Sequence, residues 1–275
     1  MKLWVISWLT FREASRRKLL WIVFILGGLF LLLYAAGFQL LYGQFTAHTA
    51  GMALGAAVDT LTTVGFYAVN FLVVMVSVLT SVDTISGEIA SHTIQSIVTK
   101  PLRRWEVMLG KWLGFALMIS GYVLLMAGGV AAIAWAISGT LVHNLPQVLA
   151  TFVLEGLVLL SLTLLGGTRL STMANGVMVF TLFGLAFLGG WTEQIGSLLG
   201  NESAVKIGII SSLILPTEAL WRRIAHLVQP PMLTSFGMTP FSLFSVPSTA
   251  MVIYAILYAL AALAVAIRSF EQRDL

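Results

Sequence analysis

The stretch SGEIASHTIQSIVTKPLRRWEVMLGKW, residues 86–112, is the one long polar segment in the first half of the chain. Apolar runs flank it, Leu61–Val82 before and Leu113–Ile137 after. Each is long enough for a helix to cross a bilayer, which takes about 20 mostly apolar residues. The polar stretch is therefore a loop between two membrane spans. The whole chain shares this character: of 275 residues, 59% are hydrophobic and 9% charged, with a mean hydropathy of +0.97. A soluble domain carries roughly 25% charged residues. The composition specifies an integral membrane protein.

Working outward, four more stretches qualify as spans: Leu19–Leu41, Gln147–Gly167, Met173–Trp191 and Pro247–Ile267. The expectation is an all-α protein with six transmembrane helices, residues 1–275 forming a single transmembrane domain. No proline falls inside a span, and Pro146 and Pro247 stand at helix starts, where a missing N–H costs nothing. The first span is read as an anchor. Its leading polar segment is too long for a cleaved signal, and its apolar core exceeds the usual ~7–15 residues.

Basic residues set the orientation. With both termini in the cytoplasm, Lys2, Arg12, Arg16, Arg17, Lys18, Lys100, Arg103, Arg104, Lys111, Arg169, Arg268 and Arg273 lie inside. Only Lys206, Arg222 and Arg223 lie outside. Twelve against three is the bias expected of cytoplasmic loops. The reading is a multi-pass protein of a prokaryotic plasma membrane, with residues 86–112 facing the cytoplasm.

Between the spans, Tyr42–Thr60 reads as a modest outer loop, and Ser138–Pro146 and Thr168–Thr172 as tight connections. Thr192–Val246 is long and outside. It holds an apolar run, Ala204–Leu215, then PTEALWRRIAHLVQPP, in which Leu220, Ile224 and Leu227 recur at helical spacing. Arg222, Arg223 and His226 fall off that stripe, and Pro230 and Pro231 stop the helix. The pair is expected as short extracellular helices at the outer surface, dipping in without crossing. At the N-terminus, Trp4, Trp8 and Phe11 precede a basic cluster, the pattern of an interfacial helix lying flat before the first span.

Several chemistries are excluded. There is no cysteine, and His48, His92, His143 and His226 match no metal-ligand spacing, so no metal site is expected. The basic residues lie beside apolar runs, which gives no reason to expect nucleic acid. A phosphate-binding loop needs Gly-x-x-x-x-Gly-Lys-Ser/Thr. The only Gly-Lys is Gly110–Lys111, with Trp105 and Trp112 where the first glycine and the hydroxyl belong. The chain is not expected to be an enzyme by itself or to bind a cofactor.

On a helical wheel, Ile89, Ala90, Ile94, Ile97 and Val98 share one half of Gly87–Thr99. Glu88, Ser91, His92, Gln95, Ser96 and Thr99 share the other, and only Thr93 strays. This is a short amphipathic cytoplasmic helix ending before Pro101. Its polar face carries no Lys or Arg before Lys100, which favours docking a soluble partner over lying on lipid.

With Glu88, Thr99, Pro101, Arg103, Arg104, Gly110 and Lys111 in this order, the loop resembles that of ATP-binding-cassette exporter permeases of the ABC type 2 (type V) class. His92 stands where that class often has glycine. Six spans, a flat N-terminal helix and a long outer segment extend the resemblance over the whole chain. It implies that the loop is a coupling helix docking into a separate ABC ATPase subunit, through Glu88, Ser91, His92, Gln95, Ser96, Thr99, Arg103 and Arg104. It also implies ATP and magnesium on that subunit and a second permease, identical or a paralogue.

Inside the spans, Glu155 reads either as a charged lining of a translocation path or as a hydrogen-bonded packing residue. Asn70 reads as interhelical glue or a substrate contact, with glue favoured. Asp83 and Glu88 are expected to orient the coupling helix by capping it or by pairing with Arg103 or Arg104. Gly110, Gly114, Gly121 and Gly128, and Ala255, Ala259, Ala262 and Ala266, are small-residue packing faces, either of which could serve a subunit interface. Two rival readings are a proton-coupled secondary transporter using Glu155 and a lipid-modifying membrane enzyme. The first wants an internal repeat and the second a convergent polar cluster; the sequence displays neither.

Overall fold

A computed structural model describes residues 2–16, 18–48, 52–90, 103–228 and 245–273. The described helices are α1 (Lys2–Arg16), α2 (Lys18–His48), α3 (Met52–Ser81), α4 (Ser86–Ala90) and α5 (Arg104–Ser138). They continue with α6 (Leu145–Gly167), α7 (Thr172–Leu199), α8 (Glu202–Ile214), α9 (Thr217–Val228) and α10 (Thr249–Glu271). No strand occurs among the described residues. Six helices are long and apolar enough to span: Leu20–Ala47, Ala53–Glu88, Arg104–Ser138, Leu145–Gly167, Thr172–Leu199 and Thr249–Glu271. The expected all-α membrane architecture is the one observed.

Helix α6 is the hub, touching α3, α5, α7, α9 and α10. Its Val148, Phe152, Leu159, Leu160 and Leu164 are fully buried. Between them come small and hydroxyl residues that allow close approach. Thr151 and Thr163 return their hydroxyls to the carbonyls of Gln147 and Leu159 (both 2.7 Å), and Ser161 accepts from Trp112 Nε1 (2.9 Å). Lipid offers no hydrophobic drive between helices, so this fit and these polar contacts hold the bundle. Helix α2 is the least buried span and turns Ile25, Leu29, Leu32, Leu33 and Leu40 outward.

The helices outrun the apolar stretches. The expected outer loop over Tyr42–Thr60 is instead mostly helical, since α2 continues to His48 and α3 starts at Met52. Helix α5 begins nine residues before Leu113 because Glu106 reaches back to accept from Arg103 N (2.9 Å), satisfying the helix start. Hydropathy measures the bilayer, whereas caps set helix ends.

Helix α1 is a separate element that packs on α5. Ser7, Thr10 and Ala14 are buried, and Gly114 admits the Ser7 carbonyl and Thr10 where a Cβ would collide at 2.8–2.9 Å. Trp4, Val5, Trp8 and Leu9 remain exposed on its other side.

At the opposite end, α7 turns at Gly200 (φ 67°) into α8, which Asn201 caps by accepting from Ser203 N and Ala204 N. Helices α7 and α8 pack intimately, with Gly208 against the Gly189 carbonyl and Glu193. Helices α8 and α9 then meet at a bend of 106°. The expected pair of short helices forms, and α9 packs into the bundle. Leu220, Trp221, Arg222, Ile224, Leu227 and Val228 are all buried, with Trp221 5.0 Å from Tyr67 of α3. Arg222, off the apolar stripe, meets a buried carboxylate there instead of water.

Candidate functional site

The polar loop leaves α3 and returns through α5 at one end of the bundle, called here the basic end. Ser91, His92, Gln95, Ser96 and Thr99, and most of the expected coupling helix, lie outside the described residues. Its entry is described, and three helices hold it. Ser86 Oγ is 2.7 Å from Thr172 Oγ1 at the start of α7. Asn175 of α7 donates to the carbonyls of Val82 (3.3 Å) and Thr163 (2.9 Å), joining the loop's root to α6. From α5, Lys111 pairs with Glu88 and donates to Thr84 O (3.4 Å). Gly166 and Gly167 make room: a Cβ on Gly166 would fall 2.1 Å from Asn175 Oδ1, and one on Gly167 would touch Ile85.

This corrects one expectation. Glu88 pairs with buried Lys111 rather than with Arg103 or Arg104. Arg104 is committed elsewhere, donating to the carbonyls of Glu271 (3.1 Å) and Arg273 (2.6 Å) at the end of α10. Arg103 is exposed. Lys111 can reach Glu88 because it lies two helical turns into α5, level with the end of α3, whereas the two arginines lie beyond it.

A second polar cluster is buried farther along the bundle, where α9 enters it. Glu155 has no exposed surface and lies roughly 15 Å into α6. With its amide nitrogen toward the carboxyl, Asn70 of α3 donates to Glu155 Oε2 (2.8 Å) and Oε1 (3.0 Å). The two residues singled out from sequence are thus brought together. Glu218 of α9 is close enough to act electrostatically on Glu155. Beyond it, Arg222 grips Glu193 of α7 with both terminal nitrogens (2.7 and 2.9 Å) and donates to Ser212 of α8 (3.3 Å). Ser245 donates to Glu193 Oε1 (2.6 Å), and its carbonyl accepts from Gln194 (3.0 Å). Three carboxylates and one guanidinium, all nearly inaccessible, therefore seat α9.

Residues 4–275 match the protein family described as ABC-2 family transporter protein. The chain belongs to the ABC-2 transporter family. No curated protein matches it. As an ABC-2 family member it is a transport component of a membrane and is not itself catalytic. For this ABC-2 protein, sequence reasoning missed Asn175, Glu193 and Glu218. Asn175 carried a signal, a lone amide near the start of an apolar run. Glu193 fell just past Trp191 and so was assigned to a loop. Among the described residues no group of three His, Cys, Asp or Glu is arranged to hold a metal ion.

Proposed function

We propose that this ABC-2 protein is the membrane-spanning permease of an ATP-driven exporter, working as a pair with a second permease and with separate ATPase subunits on the cytoplasmic side. Family membership supports the transport role. The observation that carries the coupling is the anchoring of residues 82–88 to α5, α6 and α7 at once. A push on the amphipathic helix that follows would move three spans together instead of flexing a free loop. The permease supplies the two-state element, and ATP and magnesium on the partner supply the free energy.

In this reading Glu155 and Asn70 lie behind α9, and displacement of α9 would uncover them to a path between the two permeases. The polar groups inside the bundle are largely paired with one another, which favours an amphipathic or lipid-like substrate. Both termini are cytoplasmic, as the basic residues indicate.

The test is on the polar face of the loop helix. Ser91→Lys or Gln95→Arg should place an unpaired charge at a buried contact, at about 2–5 kcal/mol. Membrane insertion should be normal while ATPase copurification and stimulated ATP hydrolysis fall together. Unchanged assembly and turnover would reject the coupling role.

A further inference from the structure

Where α6 and α10 end, their last residues enclose an open cavity of about 350 Å³ lined by Thr168, Arg169, Ser269, Gln272 and Arg273. Its walls are fixed. Thr168 and Ser269 are buried and hydrogen-bonded to each other (3.0 Å), and Arg169 Nε donates to Ser269 Oγ (3.1 Å). Arg273 donates through Nη1 to the Thr168 carbonyl, and Arg104 holds the α10 terminus in place through the carbonyls of Glu271 and Arg273.

These bonds leave donors over. Both Nη groups of Arg169, and Nε and Nη2 of Arg273, have no acceptor among the described residues. Among the described residues no carboxylate lines the cavity. Two planar, permanently charged forks beside a hydroxyl pair and an amide suit a tetrahedral oxyanion. The C-terminal ends of two helices would oppose an anion. Here, however, Arg104 and Arg273 already occupy terminal carbonyls, and α7 starts nearby at Thr172 with its positive end.

Depth narrows the source. Along α10 the outward residues pass from Leu257, Leu260 and Val265 to Arg268, an apolar-to-basic change that marks headgroup level. We propose that this cavity binds the phosphate of an anionic ligand, met at this depth as the headgroup of an anionic phospholipid whose chains lie along the exposed face of α10.

The test uses the full-length chain purified in detergent. It is titrated separately with dioleoylphosphatidylglycerol, dioleoylphosphatidylcholine and inorganic phosphate. Bound lipid is read by native mass spectrometry and Tm by thermal unfolding. The anionic lipid should bind and raise Tm, and the zwitterionic one should not. The double variant R169Q/R273Q should bind the anionic lipid about thirtyfold more weakly, roughly fivefold for each basic side chain at headgroup depth. Arg169 is exposed, so R169Q alone, with a loss of about fivefold, keeps the test available if the double variant fails to fold.

Stabilisation by millimolar inorganic phosphate equal to that by the lipid, and lost in the same variants, would support the phosphate site with a soluble ester as its ligand. Undiminished binding of the anionic lipid to R169Q and to a folded double variant would overturn the proposal. So would loss of ATPase copurification in these variants with lipid binding unchanged, since the cavity would then be a protein docking surface.

Discussion

Arg222 is 3% exposed and is the sole cation described among Glu155, Glu193 and Glu218, so its removal leaves buried acids with no counter-charge. Stranding one member of a buried ion pair costs about 3–5 kcal/mol. Arg222→Met should therefore lower Tm sharply in detergent. Glu193→Gln should cost less, because Glu218 is also within electrostatic reach of Arg222. A larger loss for Glu193→Gln would mean that Glu218 does not share the charge. The Lys111–Glu88 pair has its own asymmetry, with side chains 7% and 18% exposed. Glu88→Gln strands the deeper charge and should destabilise more than Lys111→Met, as read by the same melts. Neither pairing was legible in the sequence. Arg222 and Glu193 are 29 positions apart with a turn and a bend between them, and no local period relates them. Glu155 and Asn70 could be singled out because a polar group in a long apolar run is costly wherever it points.

Six spanning elements could be read from composition because each needs its own run of about 20 apolar residues. Helix α9 could not be placed, although its pattern was seen. An amphipathic helix on a membrane surface and one whose polar face meets a buried polar cluster share one periodicity. The chain has no cysteine, so single cysteines decide between the placements. Ala225→Cys, at a 2%-exposed position on α9, should resist an impermeant maleimide, whereas Glu202→Cys at the exposed start of α8 should react. Comparable labelling of the two would return α9 to the surface. Helix α1 carried its signal more openly. Its Trp4 and Trp8 are exposed and aromatic, and Gly114 on α5 is the notch that receives its small residues.

At the scale of the whole molecule, α7 carries the chain from the basic end to Glu202, a rise of roughly 40 Å, and α10 brings it back to Gln272. With the basic end in the cytoplasm, Glu202→Cys should label from outside intact cells and Gln272→Cys should not; the reverse would invert the orientation. The two small-residue faces separate on the same scale. Ala255, Ala259, Ala262 and Ala266 are buried inside the chain, where α10 meets α6 and α5. Gly114 is filled by α1, but Gly121 and Gly128 have open space around them, on a face with exposed Leu117 and Leu124. These four lie at spacings of four, three and four along α5, so they form one stripe that no part of the described chain covers. If a second permease packs there, a side chain at Gly121 blocks close approach of the two backbones without touching the monomer. Gly121→Leu should abolish self-association in cross-linking while leaving Tm of the monomer unchanged. Ala259→Leu should do the opposite, lowering Tm by overpacking worth about 1–3 kcal/mol. If Gly121→Leu leaves self-association intact, the stripe faces lipid and the two permeases meet through another surface.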